Sequence, residues 1–167
     1  MNFRIEAARP QDCAVLVELI RALADYEKLA HLVQTTEEQV RAELFGPAPV
    51  IEALIGWEQA RGGTRAVAFA LYFHNYSTFL ARRGLYLEDL FVVPEARRRG
   101  YGKALMRHLA RTAVARGCGR FEWSVLDWNQ PAIEFYESLG AEVMADWRIC
   151  RMTGEALAEF GRAVPPA

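Results

Sequence analysis

The sequence predicts an α/β domain on a largely antiparallel sheet with one or two parallel crossings, and three observations carry the prediction. Apolar runs rich in β-branched and aromatic residues recur at strand length, and other stretches repeat apolar residues at helical spacing. The two kinds follow the order strand, two helices, three strands, helix, strand, helix, strand, strand, with a helix to close. This gives a mixed sheet of six to seven strands flanked by about four helices plus a C-terminal helix. No linker, low-complexity tract or internal repeat divides the 167 residues, so a single domain over 1–167 is expected.

In chain order, Phe3, Ile5 and Ala7 alternate with Arg4 and Glu6 as a half-buried strand that Pro10 ends. Asp12 reads as the N-cap of a helix with an apolar stripe at Leu16, Leu19, Ile20 and Leu23, running to about Lys28. Thr35 or Thr36 caps a second helix, with Glu38 or Gln39 as its capping-box partner, and Gly46-Pro47 stops it. Residues 50–57 and 65–76 are two apolar runs, and the polar EQARGGT between them signals a hairpin. Residues 77–84 read as a loop with Arg82 and Arg83 solvated. A strand from Tyr86 ends at Pro94, and a long amphipathic helix ends near Gly117. Phe121 to Leu126 is another strand, and Asn129-Gln130-Pro131 opens a helix that Gly140 stops. Ala141 to Met144 and Trp147 to Met152 read as two further short strands. Thr153 caps a last helix through Phe160, and residues 165–167 are a tail.

Composition narrows the function classes. Hydrophobic residues make up 52% and charged residues 25%, which is ordinary globular usage and argues against disorder. The net charge of -1 offers no global basic field for nucleic acid or an anionic membrane, so any anion site must be local. The first residues alternate and carry charge, and no apolar run approaches a membrane span of about 20 residues. A cytoplasmic protein is expected. Cys13, Cys118 and Cys150 are odd in number and widely spaced, which fits neither a disulfide framework nor a zinc site. His31, His74 and His108 form no metal pattern, so no metal is expected, and His108 reads as packed on the apolar face of the long helix.

The anion site falls where the Tyr86 strand meets the long helix. Arg97, Arg98, Arg99, Gly100, Tyr101, Gly102 and Lys103 open that helix, whose N-terminus presents unpaired backbone N–H groups and a positive dipole end. A GxxxxGK[ST] loop would need glycine at Arg97 and Ser or Thr at Ala104, and a dinucleotide GxGxxG would need glycine at Leu105. What remains is Arg-x-x-Gly-x-Gly at Arg97, Gly100 and Gly102.

With that motif the chain resembles the GNAT superfamily of acyl-CoA-dependent N-acyltransferases, whose pyrophosphate signature has this form. The resemblance extends over nearly the whole chain. Tyr26-Glu27, YLEDLFV at residues 86–92, WNQPAIEFY at residues 128–136 and WRICRM at residues 147–152 all look like segments of the diamine (spermidine/spermine, thialysine) acetyltransferase branch. The resemblance implies acetyl-CoA as co-substrate, with its pyrophosphate on backbone N–H groups from Arg98 to Lys103. Leu90, Phe91 and Val92 would offer backbone groups to the pantetheine arm, and Asn129, Pro131 and Ala132 further cofactor contacts. It also implies that the Tyr86 and Phe121 strands are parallel and splayed around the thioester, and that the protein is a homodimer.

Acyl transfer to an amine needs a neutral amine, a polarised carbonyl and a proton for the departing thiolate. Tyr136 resembles the family tyrosine that supplies the proton; the plain alternative is an amphipathic aromatic. Glu88 and Asp89 interrupt an otherwise apolar strand and by alternation should point to opposite faces. They match acids that line the amine site of the diamine branch. An alkylammonium near the lysine pKa of about 10.4 arrives charged. Carboxylates attract it, and one of them, Glu88 directly or through a water, can take its proton; the structural alternative is one solvated and one salt-bridged acid.

Glu27 could hold a distal ammonium and Tyr26 offer a hydroxyl or ring face, although Glu27-Lys28 is also an ordinary surface pair. Trp147 and Arg148 match the branch's late Trp-Arg, and Arg148 could read a carboxylate on an amino-acid-like amine. Asn129 is a helix cap first and a cofactor contact second. The side chains of Arg98 and Arg99 are as well explained as a solvated helix entry. The expected function is acetyl transfer from acetyl-CoA to a primary amine of a small cationic substrate. The competing readings are acetylation of a protein or peptide amine and, from another class, a non-catalytic acyl-CoA sensor.

Overall fold

The computed structural model describes residues 3–162, so the tail at residues 165–167 lies outside the described residues. The chain forms two compact units, Met1–Ser124 and Val125–Ala167. No helix among the described residues is long and apolar enough to cross a membrane.

The first unit is a five-stranded sheet in the order β1 (Phe3–Ala7), β2 (Glu52–Ala60), β3 (Gly63–Ser77), β4 (Arg82–Val92) and β5 (Arg120–Trp123). All neighbours are antiparallel except β4 and β5. Helices α1 (Cys13–Tyr26) and α2 (Glu37–Phe45) cover one face, where Leu16, Val17, Leu19, Val40 and Leu44 pack on Ala53, Ile55, Phe69, Leu71 and Phe91. Alternate strand residues look the other way, toward α3 (Tyr101–Ala115), whose Arg116 end pairs with Glu52 on β2.

Thr36 caps α2 and forms a reciprocal box with Gln39, and Gly46 ends the helix. Asp12 and Asn129 hold the N-cap positions of α1 and of α4 (Gln130–Glu137), but neither side chain caps its helix. Asp12 instead turns back and accepts from Arg9 N at 2.9 Å, closing the 3-10 turn that precedes α1. The β2–β3 and β3–β4 connections are tighter than expected. Pairing runs to Ala60↔Gly63 and to Ser77↔Arg82, so most of EQARGGT is strand, and Arg82 and Arg83 lie exposed on β4.

Three expectations are corrected. The strand count is five, because residues 141–153 pair with no strand among the described residues; Trp147, Ile149 and Met152, read as strand, are exposed. Extended sequence becomes strand only where a partner supplies its hydrogen bonds. β5 is shorter than expected, ending at Trp123 rather than Leu126. His108 is exposed, because it falls just off the α3 stripe formed by Leu105, Met106 and Leu109. In the second unit, α4 is followed by Gly140 at φ 90°, and α5 (Gly154–Arg162) closes the described chain.

Candidate active site

The acidic pair sits at an irregularity in β4. Tyr72 pairs with Leu87 and the next β3 residue, Leu71, with Asp89, so one step on β3 matches two on β4. Glu88 is the extra residue, which makes a β-bulge. The bulge reverses the alternation. Leu85 and Leu87 lie on the α3 side, whereas Asp89 and Phe91 lie on the side of α1 and α2.

The expectation that Glu88 and Asp89 point to opposite faces is therefore overturned. Both line one open cleft of about 430 Å³, together with Ile20, Gln39, Glu43 and Leu71. Burial pushes the Asp89 carboxyl up to about 7, with smaller pushes from the negative charges of Glu88 and Glu27. Glu27, the residue after α1, is itself raised by burial. Asp89 thus feels two further carboxyls, Glu88 beside it in the cleft and Glu27 at the end of α1. Such a cluster draws a cation, and an acid titrating near neutrality can accept a proton from it.

Tyr26, at the end of α1, is half-buried against the same core. The Arg97 guanidinium lies 4.2 Å above its ring and 5.6 Å from that of Phe91. Arg97 Nε also donates to Val92 O at 2.9 Å. Its side chain therefore ties the end of β4 to α1, and the Val92 carbonyl is engaged within the protein. Phe91 is core, while Leu90 and Val92 are half-buried. β4 pairs with β5 only from Gly84 to Leu87, so residues 88–92 carry no β5 partner.

At the start of α3 the backbone turns sharply. Arg98 at φ 61° and Gly100 at φ 82° are both left-handed, and Gly100 is the N-cap. A Cβ on Gly100 would meet open space, so the backbone angle is what favours glycine there. The first helical bond runs from Ala104 N to Gly100 O, which leaves the amides ahead of it to the helix entrance. Two side chains of the motif are engaged within the protein, Tyr101 from a buried position and Arg99 from an exposed one. Tyr101 is buried against Phe3, and Arg99 Nη1 donates to Glu58 at 2.7 Å. Arg98 and Lys103 are exposed and Gly102 is half-buried.

In the second unit, Asn129 is buried, Ala132 and Tyr136 are half-buried, and Pro131 sits in the first turn of α4. Trp147 is 73% exposed and Arg148 is exposed.

Sequence reasoning missed Glu58, buried on β2 and held ionised at about 2 by hydrogen bonds from Tyr101, Arg65 and Arg99. A lone acid between Trp57 and Gln59 carries no pattern that separates it from a solvated strand residue. It also missed Gln39 and Glu43 as cleft residues, since α2 reads as a surface helix.

The acetyltransferase (GNAT) family matches residues 17–141. A thialysine N-epsilon-acetyltransferase of Mus musculus is 38% identical over 94% of this chain and 96% of its own length. An L-ornithine N5-acetyltransferase of Arabidopsis thaliana is 34% identical over 94% of this chain and 87% of its own. Among solved structures, an integron cassette protein from the mobile metagenome of V. cholerae superposes with a TM-score of 0.80 at 25% identity, covering 98% of this chain and 99% of that one.

Proposed function

Because this chain belongs to the acetyltransferase (GNAT) family and is an acetyl-transferring enzyme, we propose that it moves acetyl from acetyl-CoA to a primary amine of a small cationic acceptor. The observation that carries the acceptor is the pairing of Glu88 and Asp89 at one cleft, with the Glu27 charge near enough to act on Asp89. A charged ammonium offsets the mutual repulsion of these acids, and that repulsion favours its binding.

The reaction then follows from the residues. Glu88, directly or through a water, or Asp89 takes the ammonium proton, and the freed nitrogen attacks the thioester carbonyl. As the C–S bond breaks, nitrogen gives its second proton to solvent and the thiolate takes one from the Tyr136 hydroxyl, which regains a proton from solvent. The role of Tyr136 rests on the resemblance of its WNQPAIEFY segment. For the donor, backbone N–H groups from Arg98 to Lys103 would hold the pyrophosphate, with Gly100 and Gly102 keeping the approach clear and Arg98 and Lys103 adding charge. The stretch of β4 at Leu90 to Val92, which has no β5 partner, would flank the pantetheine arm, and Asn129, Pro131 and Ala132 would add contacts. On this reading Arg97, Arg99 and Tyr101 act through side chains that shape the site.

Relatives named for thialysine and ornithine favour an acceptor that carries both an amine and an α-carboxylate. Tyr26 and Glu27 would serve the amine end, and Trp147 and Arg148 are the candidates for the carboxylate end. We also read the protein as a homodimer, which sedimentation at micromolar concentration checks. The main test is a panel of thialysine, ornithine, lysine, diamines and polyamines with acetyl-CoA, read as thiol released. Acetylation of a cationic amine is the expected result. Turnover of none of them, or of neutral amines alone, would overturn the acceptor assignment.

A further inference from the structure

We propose that Glu58 is a positioning residue for the donor site, clamping the turn at the start of α3 in the conformation that presents its amides. The proposal rests on reading that turn as the acyl-CoA pyrophosphate site and explains how this chain holds it. Glu58 is 4% exposed, on the α3 side of β2. Its carboxylate gathers three donors, two from the turn at the start of α3 and one from β3. Oε1 accepts from Tyr101 Oη at 2.6 Å and from Arg99 Nη1 at 2.7 Å, and Oε2 accepts from Arg65 Nη2 on β3 at 3.0 Å. The other arm of Arg99 donates to Glu95 O at 2.8 Å, and Arg65 lies 3.5 Å from the Glu95 carboxylate. Residues 95, 99 and 101 are thereby tied to the β2–β3 hairpin across the segment that contains both left-handed residues.

A non-glycine residue such as Arg98 stays left-handed only where its surroundings over-determine it. Tyr101 and Arg99 hold the chain on either side of Gly100, and Tyr101 is further fixed by stacking on Phe3, with ring centroids 3.9 Å apart. Since Arg99 is committed to Glu58, donor affinity depends on the direction of backbone N–H groups more than on the arginine run. Glu58 also sets the sign of the test. Were the arginine charges what counted, removing this carboxylate would leave the Arg99 charge unopposed and strengthen the hold on pyrophosphate. Positioning predicts the opposite.

The experiment compares acetyl-CoA with S-acetylpantetheine, a donor that lacks the pyrophosphate, in wild-type protein, Glu58→Gln, Tyr101→Phe and the double variant. With acetyl-CoA, kcat/KM falls about tenfold in Glu58→Gln, the size of one charge-assisted hydrogen bond, and the fall lies in KM. With S-acetylpantetheine it does not fall. The double variant is no worse than Glu58→Gln alone, because both changes undo one clamp. An equal loss with both donors would show a merely structural role, and unchanged or tighter use of acetyl-CoA would likewise overturn the proposal. Should Glu58→Gln fail to fold, Tyr101→Phe keeps the ring stack and reads the same split. A wild-type protein with no preference for acetyl-CoA over S-acetylpantetheine would instead overturn the pyrophosphate reading itself.

Discussion

Asp89 gives the site its pH dependence. Its carboxyl is pushed up to about 7 by burial and by the neighbouring acids, so in the free protein it loses its proton as the medium passes neutrality. Below that point the cleft lacks one negative charge; above it, the full set attracts the acceptor. Acceptor kcat/KM, which follows the free enzyme, should rise through pH 7 and level off, and Asp89→Asn should remove that inflection while lowering the plateau. A pH profile that keeps its inflection in the variant would take Asp89 out of acceptor binding. At Tyr136 the expected loss lies in turnover. Tyr136→Phe should lower kcat about tenfold or more, the smaller end of what a positioned proton donor supplies, with acetyl-CoA affinity by calorimetry unchanged. An unaffected rate would remove Tyr136 from the mechanism. The presence of these acids was legible because charges inside an apolar strand are conspicuous. Their common orientation was not, because it depends on how β4 pairs with β3.

The bulge at Glu88 makes a prediction that concerns β4 as an element. Deleting Glu88 restores one-to-one pairing and leaves Leu87 and Asp89 on the faces they already occupy. The sheet should survive with little change in thermal midpoint while acceptor KM rises. Deleting Leu90 instead turns the rest of the strand over, taking Phe91, 3% exposed, out of the core. That should cost about 3–5 kcal/mol, the usual loss for a buried phenylalanine. If the two deletions destabilise equally by thermal melting, the bulge is not what sets the faces. Similar reasoning explains what the sequence revealed. The Thr36–Gln39 box, the β2–β3 hairpin and the α3 helix are each encoded by residues close in the chain, and each forms, the hairpin with a tighter turn and the helix with His108 off its buried stripe. The two late strands expected at residues 141–144 and 147–152 do not form among the described residues, because strand pairing is set by residues distant in the chain. The Glu58 clamp escaped for the same reason, since its donors come from β3 and from the distant turn at the start of α3.

For the whole molecule, the two perturbed acids act on stability with opposite signs. Glu58 is depressed from 4.5 to about 2, so its contribution is complete above the ordinary value and is lost as pH falls through that window. Asp89 is raised from 3.8 to about 7, so the folded state holds a proton that the unfolded chain has released, and stability declines as pH rises across that interval. Thermal midpoints measured from roughly pH 2 to pH 8, the span of the two windows, should show both slopes. Glu58→Gln should flatten the acid limb and Asp89→Asn the neutral one; a neutral limb unchanged by Asp89→Asn would contradict the buried-acid account. A net charge of -1 hides both effects, because it averages a cationic helix entrance with an acidic cleft. The bulge has one more consequence, for redesign. Because the inserted Glu88 already interrupts the pairing pattern, the residues on its cleft side form a segment that a combinatorial library can vary, with a new acceptor as the selection, while the clamped turn at α3 is inherited unchanged.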